Sequence, residues 1–147
     1  MPGDRRRAYP RESARPKYRF HMAFDAAAIG RAFSEHRFDD ALSYLARDVR
    51  WTIVGYMVLE GADAVRRTCR ETAASLEDTT ATYDRCVVAA GSDVVAVDTF
   101  VRYTGPGGLT AVASCDIYEF AGEQIAAITS YAVEVDPESA GSQPPPH

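Results

Sequence analysis

From residue 79 onward the chain reads as four strands in succession, about 79–90, 93–104, 110–120 and 125–135. Only short turns part them, at Gly91-Ser92, Gly105–Gly108 and Gly122-Glu123. Strands joined so closely pair antiparallel, because a parallel pairing needs a crossover of a dozen or more residues. Helical spacing comes first. Phe24, Ala28, Ala32 and Phe33 mark a helix ending near His36, and Phe38, Ala41, Leu42 and Leu45 predict a second. RWTIVG and YMVLEG read as short strands joined at Gly55. Ala62, Val65, Cys69, Ala73 and Leu76 predict a third helix, opened by Gly61. Helices grouped ahead of a meander give an α+β fold rather than α/β. Laid on one face of a curved sheet, they enclose a cavity.

A chain of 147 residues supports one domain with a core of its own. The organisation expected is a mobile basic tail at 1–21, a domain at 22–136 and a disordered tail at 137–147, which ends in a proline run. The net charge of −5 is uneven: residues 1–20 hold seven of the sixteen basic and two of the twenty-one acidic side chains. The remaining body is acidic with no basic stripe, which argues against nucleic acid as a partner. No apolar run reaches the roughly 18 residues of a membrane span, and the N-terminus lacks the apolar segment of a signal peptide. The expectation is a cytoplasmic protein without a membrane partner. Cys69, Cys86 and Cys115 are widely spaced, and His21, His36 and His147 form no ligand pair, so neither a metal nor a cofactor is implied.

Two acids interrupt the apolar strands: Asp98 in VVAVDTFVRY and Asp116 in TAVASCDIYEF. An isolated ionised carboxylate in such a strand is costly unless its face is wet or its pocket uses it. Alternation groups Asp98 with Phe100 and Arg102, and Asp116 with Ser114, Tyr118 and Phe120. The two acids share a face only if paired residue numbers across the hairpin sum to an even value. A sum of 214 sets them opposite one another, with Cβ atoms about 5 Å apart. A sum of 213 splits them between faces.

The segments FDDALSYLARDVRWTIVG, LEGADAVRRTC and DIYEFAGEQIAAITSYAVEVD resemble the nuclear-transport-factor-2-like superfamily, in particular its SnoaL-like polyketide-cyclase branch. The resemblance implies a cone-shaped curved antiparallel sheet wrapped around N-terminal helices, the cystatin-like α+β barrel, in a cofactor-free homodimer. It also carries partial catalytic sets. Asp116 matches the protonated acid of ketosteroid isomerases, a case the general chemistry of carboxylic acids held neutral already describes. Thr52 stands where those enzymes carry a carboxylate base, and Ile29 and Cys69 where they carry tyrosines. Asp98 matches one aspartate of limonene-type epoxide hydrolases, but Ala96 replaces the arginine and Ser130 the second aspartate. Arg102 lies about 13 Å further along the strand.

Both matched aspartates line the cavity in relatives, which favours the even sum. Asp116 is then expected as the acid and Asp98 as the base or water-orienting group. Trp51 or Thr52, Tyr56, Phe100, Arg102, Tyr118 and Ser130 are expected to contact substrate. Tyr131 is expected on the far face, at a dimer interface, and His36 as a capping or surface residue. The function expected is metal-free acid/base chemistry of isomerase, cyclase or epoxide hydrolase type on a small apolar oxygenated molecule. The alternative is a non-catalytic ligand-binding or scaffold domain of the same fold.

Overall fold

The structure, a computed structural model, describes residues 23–138. The expected tail at 1–21 and nearly all of that at 137–147 lie outside the described residues. Helix α1 (Ala26–Ser34) begins where the Asp25 carboxylate caps the Ala28 N–H at 3.1 Å. It ends in a Schellman turn: the His36 N–H bonds the Phe33 carbonyl at 3.0 Å and the Arg37 N–H that of Ala32 at 2.8 Å. This turn puts His36 in the left-handed region at φ 60°. Glycine is usual there, and a side chain costs about 1 kcal/mol or more.

The second helix expected at Phe38–Leu45 is two short 3₁₀ turns instead, Phe38–Asp40 and Leu42–Tyr44. The i, i+3 spacing suits a 3₁₀ turn as well as an α-helix, and Phe38, Ala41 and Leu45 are buried as the pattern required. Strand β1 (Leu45–Ile53) therefore starts five residues earlier than expected. The elements after it are β2 (Met57–Glu60), α2 (Ala62–Ser75), β3 (Thr80–Ala90), β4 (Val94–Gly105), β5 (Gly108–Ala121) and β6 (Gln124–Val135).

The α+β architecture stands, with one open, curved sheet in the order β2-β1-β6-β5-β4-β3. It is mixed rather than wholly antiparallel, because β1 runs parallel to β6. Register shifts leave Asp84 of β3 and Ala126 of β6 unpaired and mark bulges, which bend strands and deepen the concave face. The helices fill that face. Gly30 of α1 lies so close to the sheet that a Cβ there would stand 3.0 Å from the Tyr118 ring and 3.1 Å from Val95. The core of Ile29, Phe33, Val49, Val65, Val97, Tyr118, Ile125 and Ile128 lies between the layers.

The β4–β5 hairpin pairs down to Gly105↔Gly108, leaving Pro106 and Gly107 as a two-residue loop. Two-residue loops are the commonest hairpin connection. Here paired numbers sum to the odd value, with Val97 opposite Asp116 and Asp98 opposite Cys115. The expectation of a shared face is overturned.

Candidate functional site

Between α1, α2 and the concave face lies a cavity of about 240 Å³, just under the usual 300–1,000 Å³ of ligand pockets. Phe33, Phe38, Trp51 and Tyr103 supply aromatic walls, and Ile53, Val101, Val112 and Ala132 aliphatic ones. Alternation along β5 points Ser114 and Asp116 inward together, and the Asp116↔Ser130 pairing brings Ser130 in beside them. Thr99 of β4 and Ser114 hydrogen-bond each other at 2.8 Å, and the Trp51 indole N–H donates to Ser130 Oγ at 2.9 Å. Those polar groups satisfy one another. Among the described residues, Asp116 is the only carboxylate in the lining, and no lysine or arginine accompanies it.

Asp116 is held from behind. Ser34, in the last turn of α1, donates its hydroxyl to Oδ2 at 2.7 Å, and the Tyr118 hydroxyl lies 2.6 Å from the same serine oxygen. With the serine proton committed to the carboxylate, Tyr118 becomes the donor to Ser34. Burial and, after it, the charge of Asp116 push the Tyr118 phenol well above its ordinary range, so it keeps that proton. The chain thus runs Tyr118 to Ser34 to Asp116, and Oδ1 makes no hydrogen bond among the described residues.

His36 faces the same cavity, although it was expected at a cap or on the surface. It holds the cap position, yet its ring stacks on Phe38, with centroids 5.4 Å apart, and more loosely on Tyr103 at 6.4 Å. Burial lowers its pKa from the usual value near 6.5, only partly opposed by the charge of Asp116. Burial followed by Asp116 likewise raises the Tyr103 phenol.

Of the residues expected to form a site, Asp116, Trp51 and Ser130 meet in the cavity. Tyr118 lies beneath it, fully buried, and acts through Ser34. Asp98, Thr52, Phe100 and Arg102 belong to the convex face by register. There the Arg85 guanidinium donates to Asp98 at 2.8 Å. Arg102 pairs with Asp84, donates to the Pro137 carbonyl at 2.8 Å and sits over the Phe100 ring. Tyr56, 77% exposed, caps the β1–β2 turn next to a shallower hollow that shares Trp51, Ile53 and Thr72 with the cavity. Sequence reasoning missed Ser34 as a site residue; the signal was a hydroxyl one turn beyond Gly30, on the side of α1 facing the sheet. Among the described residues, no His, Cys, Asp and Glu cluster could hold a metal ion, and no helix is long and apolar enough to cross a membrane.

The family model for the SnoaL-like domain matches residues 26–128. The chain belongs to the SnoaL-like family. Among solved structures, this SnoaL-like chain is similar to an NTF2-like protein of unknown function from Cytophaga hutchinsonii, at 26% identity and TM-score 0.64, over 72% of this chain and 94% of that one. It also shares its fold with a candidate polyketide cyclase from Xanthomonas campestris pv. campestris, at 18% identity and TM-score 0.58, covering 71% and 84% of the two chains. An LEH-like epoxide hydrolase from M. tuberculosis follows the same fold at 17% identity and TM-score 0.52, over 73% and 77%. No curated protein matches the sequence.

Proposed function

We propose that the SnoaL-like cavity takes a small, apolar, oxygenated molecule and that Asp116 moves a proton on it, as an isomerase or cyclase would. The observation that carries this reading is an inward carboxylate that accepts on Oδ2 from Ser34, itself bonded by Tyr118, and makes no hydrogen bond on Oδ1 among the described residues. Asp116 accepts from Ser34 and leaves its other oxygen facing the cavity side, which suits the role of base rather than the acid first expected. Epoxide opening of the Asp–Arg–Asp kind is disfavoured, because Asp98 and Arg102 turn away from the cavity and Ser130 is bonded to Trp51. The polyketide-cyclase name of one structural neighbour is compatible with proton transfer at carbon.

The test is a thermal-shift screen of neutral one- and two-ring ketones, phenols and epoxides, followed by turnover assays on the best binders. Wild type is expected to bind and turn over an enolisable ketone, and Asp116→Asn to bind without turnover. Binding with no turnover by either protein would instead support a non-catalytic binder. That second reading is favoured by one observation, that no second carboxylate lines the cavity among the described residues.

The convex face is where we propose self-association. Tyr131 and Val133 are 50% and 62% exposed there, neighbours on one face of β6, apolar surface of the kind that marks an interface. We read it as a homodimer surface. Sedimentation of wild type as a dimer and of Tyr131→Glu as a monomer would bear this out; a monomeric wild type would sink it.

A further inference from the structure

The fold holds a histidine where a glycine fits better. His36 is the left-handed residue of the Schellman turn that ends α1, yet it carries a ring that lines the cavity. Strained backbone of this kind persists where the side chain has work to do. Its two nitrogens differ. Nδ1 is buried and has no hydrogen-bond partner among the described residues. A buried N–H without an acceptor is rarer and costlier than a buried lone pair without a donor. The proton therefore belongs on Nε2, the only polar atom the ring can offer a ligand. Burial outweighs the pull of Asp116 and keeps the imidazole neutral.

We propose that His36 binds ligand in this site: its Nε2–H donates to the carbonyl oxygen of a neutral, enolisable ketone while Asp116 takes the proton from the adjacent carbon. The proposal deepens the proton-transfer reading and rests on it for the role of Asp116. The step balances within the site. The α-carbon–hydrogen bond breaks, the proton goes to the Asp116 carboxylate, and the electron pair moves into an enolate whose oxygen accepts from His36. Return of a proton from Asp116 to the same or a conjugated carbon restores the ketone or its isomer. With no lysine or arginine in the lining among the described residues, Asp116 also sets the charge of the ligand, because it repels an anion. A neutral ketone with one or two rings suits the aromatic walls.

Two measurements with 2-tetralone decide it. Nitrogen-15 spectra of histidine-labelled protein near neutral pH, assigned with His36→Gln, are expected to show His36 protonated on Nε2 alone and to shift when 2-tetralone is added. Protonation on Nδ1, or a charged ring, would overturn the proposal. In deuterated water, wild type is expected to exchange the α-hydrogens of 2-tetralone and Asp116→Asn not to. His36→Gln, which keeps a donor near the Nε2 position, should retain exchange. His36→Met, of similar length but without a donor, should slow it about 100-fold at saturating ketone. Both variants carry the same backbone strain, and melting curves confirm that they fold. Equal rates in the two would reduce His36 to a structural residue and overturn the proposal. Absence of exchange in wild type would count against Asp116 as base, while the nitrogen spectra still decide His36.

Discussion

Ser34 Oγ donates to Asp116 Oδ2 at 2.7 Å across 82 residues of sequence. The bond ties the end of the first helix to the middle of the fifth strand, and Tyr118 completes it from below. Both hydroxyl-bearing residues are buried, so neither oxygen can turn to bulk water if its partner is removed. Ser34→Ala is expected to cost about 1–3 kcal/mol, because it strands the buried Tyr118 hydroxyl and also removes the bond to the half-buried Asp116. Tyr118→Phe removes a single donor and should cost about 0.5–1.5 kcal/mol. Urea unfolding of the two variants checks the order; a larger loss for Tyr118→Phe would mean that packing, not the hydroxyl chain, dominates here.

Asp98 and Asp116 should respond very differently to the same substitution. Asp98 pairs with Arg85 on the convex face, with 47% and 32% of the side chains exposed. Pairs so exposed contribute about 0–1 kcal/mol, so Asp98→Asn should change stability little and leave ketone binding as in wild type. Asp116→Asn should keep the fold but lose proton transfer. Isothermal titration beside the exchange assay separates the two, and a loss of exchange in Asp98→Asn would contradict the register that places it outside.

That register shows where sequence reasoning stopped. The strand spans were legible because Gly91, Gly105–Gly108 and Gly122 punctuate apolar alternation, and Asp116 was legible because an acid among inward residues needs a reason. The faces of Asp98 and Asp116 were not, since one residue in the turn between Thr104 and Leu109 reverses every side chain of a strand. Pro106 and Gly107 settled that geometry locally, against the expectation drawn from relatives. The 38–45 segment failed for a different reason: its apolar spacing buries Phe38 and Ala41 equally well in 3₁₀ turns. His36 was placed at its cap, but sequence gives no ring direction, and the cavity side of Phe38 and Tyr103 decides that.

The neutral state of His36 predicts a pH dependence. Burial depresses its folded pKa below the unfolded value near 6.5, with Asp116 as the opposing charge. Above that value the ring is neutral in both states and the contribution to stability is complete. As pH falls below it, the unfolded chain takes the proton first, and stability is lost until the folded pKa is passed. Melting temperature is therefore expected to fall more steeply between about pH 7 and pH 5 in wild type than in His36→Gln. Asp116→Asn removes the opposing charge and should steepen the fall. Parallel slopes in wild type and His36→Gln would show that His36 does not titrate differently on folding.

Gly30 tests whether the helix position matters to the site as well as to the fold. In an exposed helix Gly→Ala would stabilise by about 1 kcal/mol. Here the new Cβ would meet the Tyr118 ring at 3.0 Å and Val95 at 3.1 Å, closer than ordinary contact. Val95 and Tyr118 are themselves fully buried, so the helix rather than the sheet has to give. Overpacking of this kind costs about 1–3 kcal/mol, which outweighs the helical gain and leaves a net destabilisation of about 0–2 kcal/mol. The larger consequence is for geometry, because Ser34 lies one turn further along the same helix and must reach Asp116. Ketone exchange by Gly30→Ala should fall further than its stability, and by a similar factor to Ser34→Ala. A variant that melts lower but exchanges at the wild-type rate would show that α1 can shift without releasing the carboxylate.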